Sequence, residues 1–160
     1  MSDFLIGWQL SRKRFDDEIL GLNQAQLTWR LYPQGLSIGE MALHLAGVEL
    51  SFTSQLAGME LGEDQVRLKR CATEGVVNDL PFPYSADEIT PEFVRSSLAA
   101  TAALVEPMIS SPASEMRLKE LVSALGPVIT GEGAFARLAF HPAYHHGQAY
   151  QMKMHPEFPG

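Results

Sequence analysis

The chain has 160 residues, of which 46% are hydrophobic and 19% charged, a length and composition that suit one soluble globular domain spanning residues 1–160. Its formal net charge of −7 argues against nucleic acids and anionic membranes as partners, because non-specific binding to phosphate comes largely from lysine and arginine. Cys71 is the only cysteine, which rules out an intrachain disulfide or a multi-cysteine metal site. The opening residues lack the pattern of a signal peptide, and no apolar run approaches the roughly 20 residues of a membrane-spanning helix, so the expected location is cytoplasmic.

Phe4, Trp8, Phe15, Ile19 and Leu22 recur at helical spacing and predict a first amphipathic helix that ends near Gly21 and Asn23. Ser37 and Glu40 have the form of a capping box. They open a second helix whose apolar stripe is Ile38, Met41, Leu45, Val48, Phe52 and Leu56, with Gly58 as its stop. Residues 60–84 read as a long connection holding at most one short helix. Thr90 and Pro91 open a third helix, expected to turn Phe93, Ala100, Leu104 and Met108 inward and to kink or end at Pro107. After a second connection, Thr130 caps a fourth helix with the stripe Phe135, Leu138, Pro142, His145, Ala149 and Met152. Four helical patterns without a run of alternating strands predict an all-α bundle. Its long connections permit topologies other than simple up and down.

His141 and His145 are four residues apart and project from one helix face about one turn apart, which is a chelating spacing. His44, three after Met41 and four before Val48, points inward from the second helix. An imidazole buried with an unpaired nitrogen loses hydration. A divalent cation takes that lone pair, while the other ring nitrogen donates to a neighbouring acceptor. For any one of these residues taken alone, a hydrogen-bonded core histidine is the plainer explanation; the trio favours a metal.

The segment His141-Pro-Ala-Tyr-His145-His-Gly147-Gln148 resembles the H-x-x-x-H-[RH]-G-Q motif on the last core helix of the DinB/YfiT-like superfamily, and Ser37-Ile-Gly-Glu-Met-Ala-Leu-His44 resembles its second-helix histidine segment. The resemblance implies a DinB-like four-helix bundle, a homodimer, and one divalent metal ion held by His44, His141 and His145, with zinc or nickel ahead of manganese or iron. His146 stands where arginine is frequent in the motif, and Pro142 removes one helix hydrogen bond, so a local kink is expected. The resemblance also implies chemistry on small molecules: transfer of a low-molecular-weight thiol of the bacillithiol or mycothiol type, or metal-assisted hydrolysis or isomerisation. The competing reading is a non-catalytic binding or dimer-scaffold bundle linked to stress.

Supporting roles fall to Gln148, Tyr144 and Tyr150 as candidates, and to Glu40 as an acceptor for His44, although its capping box already explains Glu40. The connections at 60–84 and 112–130 are candidates for the mouth of a pocket. Gly35-Leu-Ser37-Ile-Gly39 matches the G-x-S-x-G nucleophile elbow, but that elbow needs a strand-to-helix turn in a larger sheet, so Ser37 reads as a helix cap. Gly131-Glu-Gly133-Ala-Phe-Ala136 loosely matches a dinucleotide loop and reads as a helix entry. Cys71 reads as an incidental thiol and His155 as part of a solvated tail.

Overall fold

The structure is a computed structural model that describes residues 2–160. Its elements are α1 (Asp3–Ile19), α2 (Gln24–Thr28), α3 (Ile38–Ala57), α4 (Glu63–Arg70), α5 (Pro91–Ser110), α6 (Ser114–Leu118), β1 (Glu120–Val122), β2 (Val128–Thr130) and α7 (Gly131–Lys153). The fold is all-α. Its one small sheet is the antiparallel β1–β2 hairpin, with Leu121 opposite Ile129. No helix among the described residues is long and apolar enough to cross a membrane.

Local sequence sets the helix ends. The Ser37 hydroxyl accepts from the Glu40 N–H while the Glu40 carboxylate accepts from the Ser37 N–H, and Gly58 closes α3 in the left-handed conformation (φ 64°). The same exchange between Asn23 and Gln26 starts α2, and the Thr90 and Thr130 hydroxyls cap α5 and α7.

Cross-helix contacts give the topology. Phe4 packs near Phe135, Ser11 donates to the Ala139 carbonyl and Lys153 to that of Glu18, so α1 and α7 run in the same direction. Leu56 lies against Gly131 and His44 against His141 and His145, which makes α3 antiparallel to α7. Gly39 meets Ile89 and Glu49 meets Thr101, so α5 runs along α3 in the same sense. The four long helices are therefore ordered up, down, down, up. The connection from Gly58 to Thr90 returns the chain along a 20-residue helix of about 30 Å, which accounts for its length. Within it α4 lies close on α3: a Cβ at Gly47 would stand 2.7 Å from the Leu68 carbonyl oxygen.

The apolar stripes of α3 and α7 face the core as their spacing predicts. The stripe of α5 differs from expectation: Val94, Ser97, Leu98, Thr101, Val105 and Ile109 are buried, whereas Ala100 is exposed and Phe93, Leu104 and Met108 are half-buried. The cause is a polar tie in the core. Glu49, fully buried, accepts from Trp8 Nε1 (3.1 Å), Arg12 Nε (3.1 Å) and Thr101 Oγ1 (2.6 Å), and Arg12 also donates to the Leu98 carbonyl (2.8 Å). This network turns Thr101 of α5 inward and joins α1, α3 and α5. α5 also continues through Pro107 to Ser110, and α7 through Pro142.

Candidate metal centre

α3 supplies His44, and α7, antiparallel to it, supplies His141 and His145 one turn apart. The Nε2 atom of His141 lies 3.2 Å from Nε2 of His44 and 3.0 Å from Nε2 of His145. All three side chains are buried, between 4% and 8% exposed, and their ring nitrogens lie within 4.8 Å of one another. Three histidines thus lie close enough together to hold one metal ion.

For two of the three rings the far side fixes the proton. His44 Nδ1 is 2.9 Å from the Cys71 carbonyl oxygen and His145 Nδ1 is 2.7 Å from Gln148 Oε1. Each of those oxygens only accepts, so both Nδ1 atoms carry the hydrogen and both Nε2 atoms present lone pairs to the centre. A hydrogen on His141 Nε2 would meet only one of these two lone pairs at a time, and the Nδ1 of His141 is buried without a partner. An unshared lone pair therefore remains buried at the centre, at a cost of about 1–3 kcal/mol.

A divalent cation fits this donor set. Zinc–nitrogen bonds of about 2.0–2.1 Å at tetrahedral angles place ligand nitrogens about 3.3 Å apart, close to the two separations found here. Burial keeps the rings neutral and ready to ligate. Desolvation, followed by repulsion from neighbouring charge, pushes His141 down to about 2 and His145 down to about 4, and desolvation also lowers His44 despite its bond to Cys71.

The three histidines form part of the wall of a cavity of about 820 Å³, a size usual for small-molecule sites. Its rim includes Ala72 and Gly75–Val77 from the first long connection and Ala124 and Leu125 from the second, as expected, and also 31–36, which the sequence did not point to. Gln148 both lines the cavity and orients His145. Tyr144, half-exposed, lies at its edge with its ring 5.0 Å from that of His145, whereas Tyr150 is not part of the lining.

Glu40 does not serve His44; it holds the α3 cap and pairs with Arg30. The acceptor is instead the carbonyl of Cys71, the residue closing α4. The Cys71 thiol is fully buried and pushed up to about 12 by desolvation first and then by Glu74, so it is inert as a nucleophile. His146 faces Glu18 on α1 at 3.5 Å, away from the centre. His155, expected in a solvated tail, is half-buried with its ring 5.5 Å from that of Trp29. Ser37 is a helix cap and Gly131–Ala136 a helix entry, with no larger sheet around either.

No protein-family model and no curated protein matches the chain. Among solved structures, the crystal structure of the conserved protein of locus from Enterococcus faecalis is similar in fold, with a TM-score of 0.66 at 17% identity over 94% of this chain and 95% of that one.

Proposed function

We propose that this chain is a metal-dependent protein of the DinB-like kind that works on a small molecule held in the cavity beside His44, His141 and His145. The observation that carries the reading is the convergence of three Nε2 atoms, two with their protons fixed on the far side, at the wall of an accessible cavity. Zinc or nickel suits an all-imidazole set better than magnesium or calcium, which prefer oxygen. Three protein ligands leave a coordination position for a substrate atom, as in catalytic sites and unlike closed structural ones.

A divalent ion there would supply Lewis acidity, lowering the pKa of a water from about 15.7 to about 7 or keeping a thiol deprotonated. The protein's part is to orient and to exclude. Gln148 and the Cys71 carbonyl hold two rings in register, the buried position of the rings limits solvent, and Tyr144, which lines the cavity, would orient a ligand there. These features suit thiol transfer of the bacillithiol or mycothiol type, or hydrolysis or isomerisation.

One observation favours the second reading, a ligand-binding bundle without catalysis: no aspartate or glutamate lines the cavity to act as a general acid or base. Pairing of two copies belongs to the same proposal, with Ile6 and Leu10 on α1 and Phe140 on α7 as exposed apolar residues for a partner copy to cover.

The test is metal content by inductively coupled plasma mass spectrometry on tag-free protein and on His44→Ala, His141→Ala and His145→Ala. About one metal per chain, lost in each variant, is expected. A chain that takes up no zinc, nickel, manganese or iron on reconstitution refutes the metal reading. A loaded protein inert toward thiol transfer to electrophiles and toward ester hydrolysis favours the binding module.

A further inference from the structure

Arg137 is the one charged residue in the cavity lining. It stands one helical turn before His141, so Arg137, His141 and His145 share a face of α7. It is half-buried, and among the described residues no carboxylate lies within ion-pair distance of it; Arg12, Arg30, Arg67, Arg70 and Arg117 are each paired, and the other unpaired arginines, Arg14 and Arg95, are exposed to solvent. Its charge reaches the metal centre, where it adds to the burial that keeps His44 and His141 neutral.

The electrostatics of the cavity are therefore one-sided. The chain as a whole carries −7, yet this cavity holds a cation and no acid. The partners that orient the histidines, a backbone carbonyl and an amide oxygen, are neutral too. A guanidinium in a partly desolvated wall without an internal counter-ion is a site for an external one, and its planar fork matches a carboxylate or other oxyanion. Much of the remaining wall is apolar, including Leu31, Leu36, Val76 and Leu125.

We infer that Arg137 is the anion anchor of this cavity and that its ligand is a small molecule with a carboxylate-like oxyanion on an apolar body. This deepens the reading above by naming the ligand class, and the anchor itself works without the metal.

The experiment is isothermal titration calorimetry of 4-phenylbutyrate and its neutral isostere 4-phenylbutanamide into the wild type, Arg137→Gln and Arg137→Lys, each metal-free and zinc-loaded, with zinc content and thermal unfolding recorded in parallel. The wild type is expected to prefer the carboxylate by about tenfold or more in both forms. Arg137→Gln should lose that preference at unchanged fold and zinc content, and Arg137→Lys should keep part of it. No preference in the wild type, including no binding of either probe, overturns the inference, as does a preference that survives in Arg137→Gln. If no variant takes up zinc but the Arg137-dependent preference persists, the metal reading fails and the anchor stands. If the preference exists only with zinc and ignores Arg137, the metal takes the carboxylate and the anchor fails.

Discussion

Acidifying the metal-free protein should destabilise it through the histidine centre by an amount that follows from where the rings are buried. In the unfolded chain each histidine titrates near 6.5, whereas in the folded protein His141 is held down to about 2 and His145 to about 4. Above about pH 6.5 neither state is protonated at these rings, and their titration contributes nothing to stability. As the pH falls below 6.5 the unfolded chain takes up protons that the folded one refuses, so stability is lost, down to about 4 for His145 and about 2 for His141. At about pH 5 the unfolded chain gains about 2 kcal/mol from each of these two rings, about 4 kcal/mol together, and His44 shifts in the same direction. For a chain of this length that corresponds to a drop in Tm of about 8–16 °C. Urea unfolding of chelator-treated protein at about pH 7.5 and about pH 5 measures the loss, and His141→Gln, neutral throughout, should lose about 2 kcal/mol less than the wild type over the same interval. Equal losses in the two proteins would refute the account of a centre that excludes protons.

Other outcomes follow from particular contacts. Glu49→Gln leaves the buried Arg12 with Asp16 as its remaining carboxylate and weakens three hydrogen bonds, and chemical denaturation should show a loss of about 1–3 kcal/mol. Gly47→Ala places a methyl 2.7 Å from the Leu68 carbonyl and 2.8 Å from the Ala72 nitrogen, so the end of α4 must move and take the Cys71 carbonyl with it. Competition with a chelator should then show zinc binding weakened by about 10-fold or more, a loss greater than that from an exposed alanine substitution such as Ser96→Ala. Cys71 in the native protein should react with a soluble disulfide reagent slower by on the order of 100-fold than in urea, because its thiol is both buried and shifted up to about 12.

Much of this molecule is legible in its sequence because the decisive signals are local. The Ser37–Glu40 box, Gly58, Thr90 and Thr130 mark helix ends through bonds within four residues of one another, and those ends were placed correctly. The inward aim of His44, His141 and His145 follows from helix period alone. What was not legible depends on partners far along the chain. The inward face of α5 differs from the expected stripe because Thr101 reads as polar surface until Glu49 is known to lie opposite. The acceptor for His44 is a backbone carbonyl, which no side-chain pattern announces. Arg137 is legible in the sequence as the continuation of the 137, 141, 145 row on α7. Pro107, expected to kink or end α5, stands three residues before its end at Ser110, where a proline costs the helix one hydrogen bond.

The parallel pairing of α1 with α7 bears on how the protein comes off the ribosome. Within residues 1–160 α1 is made well before α7, its most extensive partner, so the face of α1 that meets α7 waits uncovered until residues 131–153 are made. At about 5–20 residues per second that wait lasts on the order of ten seconds. The nascent chain therefore carries that face of α1 while residues 20–153 are made, and docking of α7 completes both the α1–α7 pairing and the histidine centre in one late event.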